Sequence, residues 1–423
     1  MITVDDPAEL ARFSEDYGRQ GAQPPKLVVK PRDAAQLQRA VQIARDRGLT
    51  IRARSGGHGL EGQSLNRGGM VIATGDMVLP SGRRIELDRA ANLVRLVPSL
   101  RTGEVAEFLT PLGLRLPTTT MDGFPAMGGA VSTAGIGQGS HRHGSLADQV
   151  IELAAVLGTG EHLRAQSSRR DHSDFGDSDI ANFIPGGMGQ AGIITELAFA
   201  VVPMRGTLRL FRQVHGSADA MAQALQAQLD ANDPDIVSVW GTVVKSPNAA
   251  RLAYLTCCVR DLRDASGGEP VGSAGDPGAD PEVLPAWLDL IYPSLPHAMR
   301  SLEAHPELLT NLLHMPGVVL LIPQLKIRPD RVTLNAWPRA RLGDRMLALG
   351  VFYYLGRAEA AATVSALRAT RDNAIANLGA QPYFIDGVPR DWRPLLGHER
   401  FARVKTILDK ADPHRVFARL PGL

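Results

Sequence analysis

Three segments of this chain concentrate the residue types that can hold and transform a ligand: residues 54–64, 122–144 and 185–193. Each is dense in glycine with Ser, Thr or Ala between, so backbone amides can approach a ligand with no side chain in the way. Consecutive N–H groups in such turns form nests for anions, and a pyrophosphate needs several of them. None of the three reads GxGxxG followed by a helix and a distant acid, and none reads GxxxxGK[ST]. The Rossmann fingerprint and the P-loop are therefore absent. The pattern suggests a large, extended, phosphate-bearing ligand; three ordinary turn clusters in a glycine-rich chain would look the same. Asp122 opens the second segment, where Asp-Gly is a common turn pair. The run His141-Arg142-His143 hints at metal, but no Cys or carboxylate completes a site at ligand spacing. Arg142 could equally face a phosphate or solvent.

The elements that must position these residues are legible in part. Residues 26–29 read as a strand, Asp33 as the cap of a helix with the stripe Leu37, Ala40, Val41, Ala44, and Gly48 as its stop. Residues 49–54 form the next strand and run straight into the first glycine-rich loop, at a strand's C-terminal end, the usual place for a ligand in an α/β sheet. Strand patterns at 70–74, 84–88 and 93–98, a helix at 102–113 and a hairpin at 149–165 follow. The third glycine-rich segment leads into a strand ending near Pro203. Beyond it come a helix at 217–232 and strands at 236–244, 251–260, 318–323, 331–337 and 346–356. Helices are expected from Glu359 to Leu378 and from Glu399 to Ala411. Residues 264–285 are Gly/Pro/Asp-rich without periodicity and read as a solvated loop.

Composition narrows the class. The chain has 423 residues, 44% hydrophobic and 21% charged, which is ordinary for globular protein and suggests two or three domains. Lys+Arg is 46 against 44 Asp+Glu, so no strong field advertises a nucleic-acid or membrane partner. No apolar run reaches the roughly 18 residues of a membrane span, and the first residues hold no signal-like core, so a cytoplasmic protein is expected. The two cysteines, Cys257 and Cys258, are adjacent and form no disulfide framework.

Taken in order, the three segments resemble the flavin-binding segments of the vanillyl-alcohol-oxidase flavoproteins, the PCMH-type FAD-binding fold. RARSGGHGLEGQS is similar to the first, MDGFPAMGGAVSTAGIGQGSHRHGSLADQVIELAAVLGTGE to the second and SDIANFIPGGMGQAGIITELAF to the third. Within that superfamily the closest resemblance is to cytokinin dehydrogenases; it is strong over residues 25–205 and weaker at 206–245, 334–357 and the tail. It implies an α+β fold in two domains: an FAD-binding PCMH-type domain at 1–205, completed by 385–423, and an antiparallel-sheet substrate-binding domain at 206–384. It implies FAD contacts at Arg54, Ser55, Gly56, Gly57, His58, Gly59, Gln63 and Ser64 of the first segment. From the second it implies Asp122, Gly128, Gly129, Ser132, Gly135, Gly139, His143 and Gly144, and from the third Gly189, Gly192, Ile193 and Ile194.

In this family the histidine matching His58 often bonds to the flavin 8α-methyl, so a covalent FAD is implied. A second link through cysteine is not, since residues 117–144 contain none. Asp122 matches the catalytic Asp of cytokinin dehydrogenases, one residue closer to its Gly-Gly pair. The implied function is an FAD-linked oxidase or dehydrogenase. Hydride leaves a substrate C–H next to N or O for flavin N5, Asp122 acts as base, and oxygen or another acceptor reoxidises the flavin. The partners are then a small amine or alcohol, with no nucleic acid and no membrane. The chain departs from the pattern where Trp240 stands for a glutamate at the substrate entrance and where the His-Pro-Trp-Leu-Asn stretch is missing. A natural-product tailoring oxidase of the same fold, acting on an alcohol or ring C–H, is the alternative. Trp337, Tyr353 and Tyr354 are candidates to line the pocket.

Overall fold

The computed structural model describes residues 2–19, 21–247, 249–264, 267–271, 280, 282–325, 327–328, 331–334, 345–383 and 392–423. Near the N-terminus the strands Leu27–Lys30 and Ile51–Arg54 flank Met70–Ala73 in parallel, and Ile2–Val4 adds an antiparallel edge. A parallel pair needs a crossover, here the helix Ala34–Asp46. Asp33 caps it by accepting the Gln36 N–H at 2.8 Å. Its stripe of Leu37, Ala40, Val41 and Ala44 is fully buried on the sheet, and Gly48 ends it at φ +62°.

A second, five-stranded antiparallel sheet runs Ile85–Asp88, Leu93–Leu96, Gly192–Ala200, Val150–Leu157, His162–Gln166. Leu153, Leu157, Leu197 and Phe199 share one core with Val105 and Leu109 of the helix Thr102–Leu109 and with Val404, Ile407 and Leu408 of the helix His398–Ala411. The last residues of the chain thus pack with its first half. Past that helix the buried Asp412 carboxylate accepts the N–H groups of Val416 (2.8 Å) and Phe417 (3.0 Å), and the tail docks beside Ile51 through two backbone bonds.

The third sheet has eight strands in the order Glu269–Pro270, Thr207–His215, Leu252–Leu262, Ile236–Lys245, Gly317–Leu325, Arg345–Gly356, Val283–Tyr292, Gln381–Pro382. All its pairings are antiparallel. Side chains alternate across it with period two. Leu288, Leu290 and Tyr292, with Leu347, Leu349, Val351 and Tyr353, face a core closed by the helices Ala218–Ala231, Leu295–Ala304 and Arg357–Asn377. The opposite face carries Trp287, Asp289 and Ile291 beside Phe352, Gly350 and Ala348. That face looks toward the glycine-rich segments.

Three expectations are corrected. Arg331–Leu334 form no strand, and the rest of that expected strand, Trp337 included, lies outside the described residues. The expected loop at 264–285 ends earlier, because Val283–Pro285 already belong to a ten-residue strand and Glu269–Pro270 pair with Leu210 and Arg209. Tyr353 is turned into the core, where its hydroxyl donates to the Leu308 carbonyl at 2.7 Å. The expected tail segment 385–391 lies outside the described residues. Among the described residues no helix is long and apolar enough to cross a membrane.

Candidate active site

The three glycine-rich segments, far apart in sequence, converge on one cavity of about 520 Å³ whose far wall is the free face of the eight-stranded sheet. The first segment contributes Ser55 through Gly59 with Gln63 and Ser64, the second Asp122, Gly128, Gly129, Ser132 and Gly135, and the third Gly189, Gly192, Ile193 and Ile194.

The loops are fixed to one another before any ligand arrives. Gly186 N–H donates to the Val131 carbonyl at 3.0 Å and Met188 N–H to that of Ser132 at 2.9 Å, joining the second and third segments. Ala134 and Met188 hold left-handed φ of 52° and 50°, each just before a glycine of the wall. Such strain, of order 1 kcal/mol or more per residue, persists only where the surroundings over-determine the backbone. A Cβ on Gly129, or on Gly189 at φ +69°, would meet no atom within 4 Å. Side chains there would stand in the cavity.

His58 lies in an aromatic layer. Its ring stacks on Tyr17 at 4.0 Å between centroids and meets Trp287 edge-on at 6.2 Å and Phe124 at 6.4 Å. Trp287 in turn contacts Phe352 at 4.6 Å, so the layer joins the first loop to the sheet. Asp122 is exposed at the wall and does act in its own turn: its Oδ1 accepts the Phe124 N–H at 3.1 Å. Its carbonyl accepts the hydroxyls of Thr102 and Thr120. Base and turn are compatible readings, since the turn bond holds the carboxylate at the cavity.

Four expected contacts are not brought to the wall. Arg54 turns away and donates to the Glu15 carbonyl at 2.7 Å. Gly139 and Gly144 are glycines of close packing: a Cβ would fall 2.0 Å from the Pro117 carbonyl oxygen in one case and 2.6 Å from Ile327 Cγ1 in the other. His143 sits in the same short helix behind the wall, where burial pushes its ring down to about 4. His141 beside it is pushed down to about 3, again mainly by burial. Arg142 donates to the carbonyls of Ile236 (3.1 Å) and Asp233 (2.9 Å) and ties this segment to the large sheet. Cys257 and Cys258 are buried in a strand, and burial raises both thiols.

The sheet supplies residues that the sequence reading missed: Trp287, Asp289, Gly350, Phe352 and Tyr383. Of the candidates there, Tyr354 does line the cavity, while Trp240 packs in the apolar cluster of Ile136, Ile322 and Ala348 at its edge. Asp289 stands between the cavity and a small recess backed by Arg368 and Arg371. Withdrawal from water pushes its carboxyl up to about 7. Tyr383 is raised too, mainly by burial and then by Asp289; its hydroxyl accepts the Ile136 N–H at 3.1 Å. The signal for Asp289 was one acid at an alternating position of an otherwise apolar run, WLDLIY.

Comparison with known proteins agrees with this geometry. Residues 25–166 match the FAD binding domain family. The chain is 30% identical to cytokinin dehydrogenase 1 of Oryza sativa subsp. japonica over 233 residues, 54% of this chain and 42% of that protein. It thus spans less than half the length of the rice cytokinin dehydrogenases it matches. An oxidoreductase of the fasciation locus of Rhodococcoides fascians is 22% identical over 99% of this chain and 97% of its own length. Among solved structures, 6-hydroxy-D-nicotine oxidase from Arthrobacter nicotinovorans superposes with a TM-score of 0.71 at 17% identity, over 100% of this chain and 97% of that one.

Proposed function

We propose that this chain is a PCMH-type FAD-binding oxidoreductase and oxidises a small molecule at a C–H bond next to nitrogen or oxygen. What supports this most is the convergence of all three glycine-rich segments on one cavity closed by an apolar sheet face. The residues present fit the cofactor, because Gly129 and Gly189 leave open the space a side chain would fill. When bound, FAD supplies a two-electron acceptor for hydride.

The chain's own residues then divide the work. Ser55–Gly59, Gly128, Gly129, Ser132 and Gly135 line the cradle for the pyrophosphate and ribityl portions. His58, held by its stack on Tyr17, is the site of covalent attachment. Asp122 accepts a proton from the substrate's N–H or O–H. Val318, Leu320, Ile322 and Ala348 exclude water. Residues 1–205 with 385–423 act as the FAD-binding domain and residues 206–384 as the substrate domain. Oxygen or another acceptor takes the electrons on. A cytokinin-dehydrogenase-like amine oxidation is the first reading. The second, a tailoring oxidase for an alcohol or ring C–H, is favoured by Trp240 and its apolar neighbours, where the family's glutamate is lost.

The test is the visible spectrum of the purified protein before and after acid precipitation. Yellow colour retained in the pellet, and lost from it in His58→Ala, is the expected result. Colour released from the native protein removes the His58 bond and leaves the flavoenzyme. A chain that stays colourless after incubation with FAD ends this reading.

A further inference from the structure

The face of the large sheet that looks into the cavity is a grid set by register. One row runs Asp289, Gly350, Leu320; the row on one side runs Trp287, Phe352, Val318, and the row on the other Ile291, Ala348, Ile322. In this grid Asp289 is the only charged residue, and every neighbour in it is apolar or aromatic. Among the described residues no donor reaches its carboxylate. Gly350 opposite it lets the carboxylate and the Phe352 ring lie over its backbone: a Cβ there would fall 2.8 Å from Asp289 Oδ1 and 2.5 Å from the Phe352 ring. An ionised carboxylate without a partner in apolar surroundings is costly, and a cation of the right size repays that cost. The Trp287 and Phe352 rings stand in the adjacent row, with Tyr354 on the same wall, and aromatic rings attract a cation placed over them.

We propose that Asp289 is the specificity-determining residue of this site and selects a substrate carrying a positively charged nitrogen on an apolar body, in preference to a neutral alcohol. The proposal rests on the cavity being the substrate site of the flavoenzyme described above. It separates the two substrate classes that the fold alone leaves open.

Burial, and not the charged groups around Asp289, sets the sign of its pH dependence. The helix Arg357–Asn377 brings Arg368 and Arg371 to the recess behind it. Arg368 pairs with Glu61 of the first loop at 2.7 Å, and Arg371 donates to Asp372 at 3.1 Å. Tyr383 follows the edge strand, and Arg52, His58 and Asp122 face the same cavity from the loops. Burial places the Asp289 carboxyl near 7, so below that pH a cation must displace a proton to bind. Affinity for a cation therefore falls with acidity, approaching tenfold per pH unit.

The probe is benzyltrimethylammonium, a permanent cation with no nitrogen lone pair to drive oxidation, with benzyl alcohol as the neutral control. Binding to the FAD-loaded protein is read by titration calorimetry from pH 5.5 to 8. The native protein is expected to bind the cation at least tenfold more tightly at pH 8 than at 5.5. Asp289→Asn loses at least tenfold at pH 8 and becomes flat with pH, while benzyl alcohol is indifferent to both changes. Native binding of the cation that is independent of pH overturns the proposal. So does a pH dependence that persists in Asp289→Asn, which would belong to His58 or Asp122. Heat of binding and flavin colour are independent readouts. A colourless protein that still shows the Asp289-dependent cation profile would end the flavoenzyme reading and leave the cation site.

Discussion

Asp122 and Asp289 show how two carboxylates in one cavity are made different by their surroundings. Asp122 is exposed, and its turn bond to Phe124 N–H keeps it within reach of solvent and of the loop side. Asp289 has the apolar grid on its cavity side and is pushed up to about 7 by burial. A group that takes a proton during turnover has to hand it on to water, which suits Asp122 better; a group that recognises charge gains from exclusion of water, which suits Asp289. Asp122→Ala is accordingly expected to slow flavin reduction by substrate roughly 100-fold, the scale of a lost acid–base group. The check is stopped-flow bleaching under anaerobic conditions. Reduction at the native rate would take Asp122 out of the mechanism and leave it as a turn residue.

At the scale of elements, the C-terminal turn does more than end the chain. Asp412 is fully buried, is held 3.4 Å from Arg419, and fixes the segment that carries Ala418 to the cavity wall. Gly158 must be glycine for it, since a Cβ there would fall 2.2 Å from Asp412 Oδ1. Asp412→Ala leaves two buried amides without an acceptor and takes the carboxylate from Arg419, which keeps only backbone carbonyls, so a loss of about 3–5 kcal/mol is expected. Urea denaturation should show it, together with weaker retention of FAD; a change under 1 kcal/mol would mean the tail is held by Phe417 alone. The sequence pointed to the helix before this turn through its apolar stripe, but not to the partner surface, because contacts between residues near 412 and near 158 leave no local period. The same limit explains the glycines. Gly129 and Gly139 belong to one glycine-rich run, yet one opens on the cavity and the other packs on Pro117; only tertiary structure tells them apart. Strands flanked by turn residues were legible. The strand Val283–Tyr292 was obscured because it begins inside a stretch with the composition of a loop, and Asp289 was missed with it.

The whole molecule is built around a cavity that separate parts of the chain must share. The N-terminal loops supply one wall, the tail adds Ala418, and the large sheet closes the far side, with Arg142 joining loop to sheet. A ligand filling that space touches every wall, so binding should stabilise the chain as one unit, by about 2.7 kcal/mol at a free concentration 100 times Kd. Gly129→Leu tests this without damaging the core. The new side chain enters open space and occupies the cradle, so the ligand-free protein should melt within a few degrees of native. FAD should then raise the native melting temperature and leave that of the variant unmoved. If FAD stabilises both equally, the cofactor lies elsewhere than beside Gly129. If the ligand-free variant melts far below native, the helix Met127–Ser132 is a packing element, and its glycines serve the fold before they serve the cavity.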